Sequence, residues 1–190
     1  MKPNHNYWIS TVTGKKIDYL NPADNDFDIR DIALGLSKQC RFLGQCDGHY
    51  SIAQHSVIGA MEMPTRELAL EFMLHDAAEF AIGDCPSPLK RLLIDYQTIE
   101  ARFDEAIRHQ WRLPMVMSPE VKLMDDIMYR TERRDLTPEF VLEEGDRALA
   151  VAPLLRLIRP HSWQTALGEY MRYYDFLMHG VGAGLRGTRY

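Results

Sequence analysis

Three cysteines in 190 residues, Cys40, Cys46 and Cys85, are too few and too unevenly spaced for a disulfide framework, which suits a reducing compartment. No stretch approaches the ~20 consecutive apolar residues of a membrane span. The opening MKPNHNYWISTVTG lacks the basic segment and apolar run of a secretory leader, so a cytoplasmic protein with no membrane partner is expected. Positive charge is short as well: 22 Lys and Arg stand against 27 Asp and Glu, a formal net charge of −5. A phosphate backbone is held by an excess of cations, so stable nucleic-acid binding is not expected. The densest basic stretch, YRTERRDL, alternates Arg130, Arg133 and Arg134 with Glu132 and Asp135 and reads as a solvated, internally paired helix face. Internal repeats, low-complexity tracts and linkers are missing too, which predicts one domain over residues 1–190.

Most of what remains reads as helix. Residues 7–20 hold two β-favouring runs around Thr13-Gly14, the pattern of a short hairpin within an extended segment 1–27. Asp28 can cap a helix with Ile29, Ile32, Ala33 and Leu36 on one face. A turn-rich interruption, KQCRFLGQCDGHY, precedes a helix over SIAQHSVIGAMEM that Pro64 stops. Thr65 opens a second helix through LHDAAEFAIG, closed by Gly83, and DCPSPLK is a proline-punctuated loop. Helices follow over DYQTIEARFDEAIRHQW, from Ser118-Pro119 through RRDL, and over SWQTALGEYMRYYDFLMHG. Residues 137–160 carry four helix-breaking positions and stay unassigned; 181–190 reads as a frayed tail. The class is all-α, a helical core over 28–180 with a minor β element. Met61, Met63, Met115, Met117 and the YMRYYDF stripe supply core packing, with some of this surface available to a second copy in a homo-oligomer.

Within that apolar pattern several polar positions stand out. His55 lies among Ala53, Val57 and Ile58; His75, Asp76 and Glu79 interrupt the next helix; Asp125 lies between Met124 and Met128, with Asp126 beside it. Two imidazoles and two carboxylates from three helices are a mixed nitrogen and oxygen set suited to a divalent transition ion. Cys40 and Cys46 with His49 make a poorer set, because C-x5-C-x2-H lacks a close cysteine pair and a fourth ligand.

The arrangement H…HD…D, here His55, His75-Asp76 and Asp125, resembles the HD-domain phosphohydrolases. HDAAEFAIGDCPSPLK is similar to the run after the HD pair in the bacterial 5′-deoxynucleotidase branch and in phage-type deoxynucleoside triphosphohydrolases. RFLG shortly before YSIAQHS, and VKLMD before TERRDL, extend the resemblance over about residues 28–135. It implies an HD-type helical bundle holding one divalent metal (Co, Mn, Zn, Ni or Fe) on His55, His75, Asp76 and Asp125, Asp126 being the fallback for the last. It places Glu79 and Asp84 as acid-base groups and Arg41 as the phosphate-orienting cation. Phe42 stands where the family often has Trp. Cys85, Pro86 and Ser87 form the substrate loop, and Lys90 can reach further phosphates. The expected activity is hydrolysis of the 5′-phosphate ester of 2′-deoxynucleotides. The alternative is a triphosphohydrolase that releases nucleoside and tripolyphosphate, with Mg²⁺ accompanying its substrate. A non-catalytic nucleotide-binding regulator would lack part of this set, and no member is missing.

Overall fold

The computed structural model describes residues 6–137 and 150–180; the tail at 181–190 and the 138–149 part of the unassigned stretch lie outside the described residues. The chain is mostly helical behind a two-stranded N-terminal hairpin, as its patterning predicts. Strands β1 (Trp8–Ser10) and β2 (Lys16–Asp18) pair antiparallel, with Ile9 opposite Ile17. Gly14 takes the turn position at φ 84°, a region open to glycine. Thr13 fastens the turn to the first long helix by donating from its amide and hydroxyl to Asp31, at 3.1 and 2.5 Å.

Helix α1 (Ile29–Lys38) starts where expected, with the Asp28 carboxylate accepting from the Arg30 amide. Helix α2 (Ile52–Met61) is the centre of the fold: every residue from Ile52 to Ala60 is buried, so it is enclosed on every side and not striped. Helix α3 (Arg66–Leu74) packs closely against it at Gly59, where a Cβ would stand 2.1 Å from the Phe72 ring. The segments α4 (Glu79–Ile82) and α5 (Ser87–Lys90) are single turns. The longer helices α6 (Ile94–Trp111), α7 (Pro119–Leu136) and α8 (Trp163–His179) complete the bundle. Helix α8 covers α1, α2 and α3, and the Tyr170 hydroxyl donates to the Met73 carbonyl at 3.0 Å.

Two expectations about these elements are corrected. The segment from Thr65 to Gly83 is not one helix: it breaks between Leu74 and Glu79, where the amides of His75, Ala77, Glu79 and Phe80 each reach back three residues instead of four. The break has a local cause, because the His75 ring takes the Phe72 carbonyl at 2.6 Å, an acceptor that a continuing helix would use. The DCPSPLK loop in turn contains the helical turn α5, with Pro88 in its first turn. Of the methionines, Met63 and Met117 pack on the core, whereas Met61 and Met115 are exposed.

A buried ion pair fixes three helices. Glu71 accepts from Arg108 at 3.2 Å and from the amide and hydroxyl of Ser118 at 2.9 and 2.5 Å, and Arg108 also donates to the Pro114 carbonyl. Both charges are almost fully buried, so each depends on the other to offset its lost hydration.

Candidate functional site

The core helix α2 carries His55 with its ring wholly buried, and the broken α3–α4 corner turns His75 and Asp76 toward it. Their rings lie 5.3 Å apart between centroids, with Phe72 packed against both. One ligand atom from each of His55, His75 and Asp76 falls within 4.8 Å of the others, so this group could hold a metal ion. From α7, Asp125 Oδ1 approaches His55 Nε2 at 3.6 Å and His75 Nε2 at 3.8 Å. Asp125 is thus the member of the 125–126 pair that stands against both imidazoles.

The donor chemistry fits a divalent cation. Both Nε2 atoms are buried without a hydrogen-bond partner, which is costly unless something else takes their lone pairs. Each Nδ1 meets an acceptor, Glu132 Oε1 for His55 and the Phe72 carbonyl for His75, both at 2.6 Å. An N–H on Nδ1 leaves Nε2 as the free lone pair, the arrangement of an oriented metal-binding imidazole. In the metal-free chain burial alone would lower His75, but Asp76 and Asp125 push it up to about 9.

The Arg41 side chain enters from a short 3-10 turn, Arg41–Gly44, held against the start of α2 by the Cys40–Ser51 bridge. Its Nε donates to Glu132 Oε2 at 3.2 Å, and one terminal nitrogen donates to Asp76 Oδ2 at 3.4 Å. Burial would lower this guanidinium, yet Glu132, Asp76 and Asp125 raise it, so its charge is secure. Phe42 and Leu43 follow with φ of 57° and 54°, left-handed values that cost about 1–2 kcal/mol each in residues other than glycine. That geometry sets Phe42 beside Tyr129 of α7, with the Arg41 and Arg133 guanidinium groups over its ring.

Glu79 Oε2 is buried without a partner on the same side, and the Glu79 carboxyl is raised well above the ordinary range by burial and by repulsion from Asp76 and Asp84. Asp84 is raised as well, chiefly by burial. Gln39, which caps the end of α1, fixes the spacing of the two: its amide donates to the Glu79 carbonyl at 2.8 Å and accepts from the Asp84 amide at 3.1 Å. Cys85 and Pro86 are half-buried on this loop and Ser87 is exposed. Lys90 is engaged by Glu100 at 2.6 Å, close enough to the site that its charge still moderates Glu79 and Asp84.

Glu132 corrects the reading of YRTERRDL as a solvated face. Its side chain has no exposure and gathers Arg41, His55 and Tyr50, the Tyr50 hydroxyl donating at 2.8 Å. The discarded clue was spacing: Glu132 lies seven residues, two helical turns, after Asp125 and therefore on the same face. The other candidate set separates. Cys40 and Cys46 sulfurs lie 3.8 Å apart, but the His49 ring faces the Ser37 carbonyl at 3.0 Å, and burial with the adjacent thiol pushes Cys46 up to about 11.

Comparison with known proteins finds relatives that share much of this chain. The uncharacterized protein YfdR of Escherichia coli is 46% identical over 129 residues, 68% of this chain and 72% of that protein. An uncharacterized protein of Rhodobacter capsulatus is 32% identical over 154 residues, 74% of this chain and 78% of its own length. No family model matches. No helix among the described residues is long and apolar enough to cross a membrane. On this extent of identity, the chain belongs to the family of YfdR.

Proposed function

We propose that this protein is a metal-dependent phosphohydrolase that cleaves the 5′-phosphate ester of 2′-deoxynucleotides. The observation that carries the reading is the convergence of two bare imidazole nitrogens, Asp76 and Asp125 beside the buried Arg41 guanidinium. His55, His75, Asp76 and Asp125 would hold the ion. When bound, such a cation makes water more acidic and polarises a phosphoryl oxygen.

The chain's own groups account for the rest. Arg41 uses two donors on Glu132 and Asp76, which leaves the remainder of its planar fork for non-bridging phosphate oxygens and for the charge that grows on them. Glu79 keeps a proton to higher pH than an ordinary glutamate, and its unpaired oxygen is placed to exchange that proton with water or a leaving oxygen. Asp84, whose amide is fixed by Gln39, would serve the leaving 5′-oxygen or the sugar. The preference for deoxyribose rests on the motif resemblance, which implies a pocket wall packed against C2′; Phe42, seated beside Tyr129, stands at the family's aromatic position. One phosphoryl group is favoured over three because Lys90, a cation that could reach a longer chain, is already paired with Glu100.

Product analysis with Mn²⁺ or Co²⁺ across deoxy- and ribonucleoside mono- and triphosphates tests this. Orthophosphate released chiefly from deoxynucleoside monophosphates is expected. Tripolyphosphate as the main product, with monophosphates intact, would replace the reading by a triphosphohydrolase; no phosphate from any nucleotide would overturn it.

A further inference from the structure

Glu132 divides its two oxygens between groups with different tasks. Oε1 receives His55 Nδ1 at 2.6 Å and the Tyr50 hydroxyl at 2.8 Å, while Oε2 receives Arg41 Nε at 3.2 Å. The Glu132 carboxylate is wholly buried, and its arginine partner lies 91 residues away in sequence. We infer that Glu132 is a positioning residue that couples the metal-binding imidazole of His55 to the phosphate-binding guanidinium of Arg41; this rests on reading the site as a metal-dependent phosphohydrolase.

Neutralising Arg41 alone does not require such an arrangement. His75 shows that an imidazole at this site can be oriented by a plain backbone carbonyl. His55 is instead oriented by an anion that also fixes the arginine. Hydrogen bonds to charged groups are worth more than neutral ones, and a displacement of either partner is transmitted through a carboxylate whose own position is set by packing. A planar carboxylate also holds the His55 ring and the Arg41 Nε–H in a fixed mutual geometry. The spacing between the His55 ring and the Arg41 guanidinium is therefore set by one side chain on α7, the helix that also presents Asp125.

Replacing Glu132 by Gln tests the coupling, because a single amide oxygen can accept from the His55 and Tyr50 side or from the Arg41 side but not from both. Mn²⁺ affinity measured by calorimetry without substrate should fall about 10- to 100-fold, as for other groups that orient metal ligands. The affinity of the Mn²⁺-loaded protein for inorganic phosphate should fall with it. Tyr50→Phe is the structural control: it removes a hydroxyl bond to the same oxygen but keeps the bonds of Glu132 to His55 and Arg41 and the bond of the Arg41 amide to the Tyr50 carbonyl, so it should lower the melting temperature and leave both affinities within about twofold. Glu132→Asp keeps the buried charge, cannot span both partners, and should reproduce the paired loss if the Gln variant does not fold. Wild-type Mn²⁺ and phosphate affinities in both Glu132 variants would overturn the inference, as would equal losses in Tyr50→Phe. A wild-type chain that binds Mn²⁺ and phosphate yet hydrolyses no nucleotide would sink the proposed substrate and leave the coupling standing.

Discussion

Glu79 is held in a state that stability alone would not select. Its folded-state carboxyl is raised above the ordinary value by burial and by Asp76 and Asp84, so the fold favours the protonated form while the unfolded chain ionises normally. Its contribution to stability is accordingly present below the unfolded value near 4.5 and is lost as the pH rises toward the folded value. Glu79→Gln stays neutral at every pH. In the chelator-treated protein it should raise the melting temperature at pH 7–8 and change it little near pH 4.5, while metal-loaded turnover falls about a hundredfold or more. An unchanged melting temperature at pH 8 would show that Glu79 is ionised at no cost. At this scale the sequence was legible where polar residues interrupt apolar helices, which is how His55, His75, Asp76 and Asp125 stood out. Glu132 was not, because one more charge within RTERRD looks like surface until its neighbours in space are known.

The helices were legible for a related reason, and the caps read at Asp28 and Thr65 each accept from an amide in the first turn they precede, as Ser51 and Ser162 also do in the structure. The break after Leu74 was hidden because AAEFAI has good helix formers, and the interruption is caused by a side chain, His75, competing for a carbonyl. The crossing of α2 and α3 was equally silent. Alanine in place of a helical glycine ordinarily stabilises by about 1 kcal/mol. At Gly59 the added carbon would meet the Phe72 ring at 2.1 Å, and that ring is buried against the His55 and His75 imidazoles. Gly59→Ala should therefore lower stability by about 1–3 kcal/mol in denaturant unfolding, and weaken Mn²⁺ binding because the displaced Phe72 ring packs on both imidazoles. A gain in stability with unaltered metal affinity would mean that the two helices separate freely.

Across the whole molecule, the all-α class with its N-terminal hairpin followed from the spacing of apolar residues and from Gly14, whereas the docking of one helix on another did not. Helix order says little about which faces meet when the central helix is buried on every side. The site draws on a turn at 41, a helix at 55, a corner at 75–84 and a helix at 125–132, and its longest bond joins residues 91 apart in sequence. Such distant partners close late in folding, because the entropy of the intervening loops must be overcome before their contact contributes. The unfolded chain and its early compact forms thus present scattered imidazoles and carboxylates, none arranged to capture an ion. Mn²⁺ should accordingly slow unfolding in stopped-flow denaturant jumps and leave the refolding rate nearly unchanged, the signature of contacts absent from the transition state. Faster refolding with Mn²⁺ would place the ligand set in the folding nucleus. The long reach between Arg41 and Glu132 thus acts as an order of assembly: the carboxylate that steadies both His55 and Arg41 arrives only as the chain completes its fold.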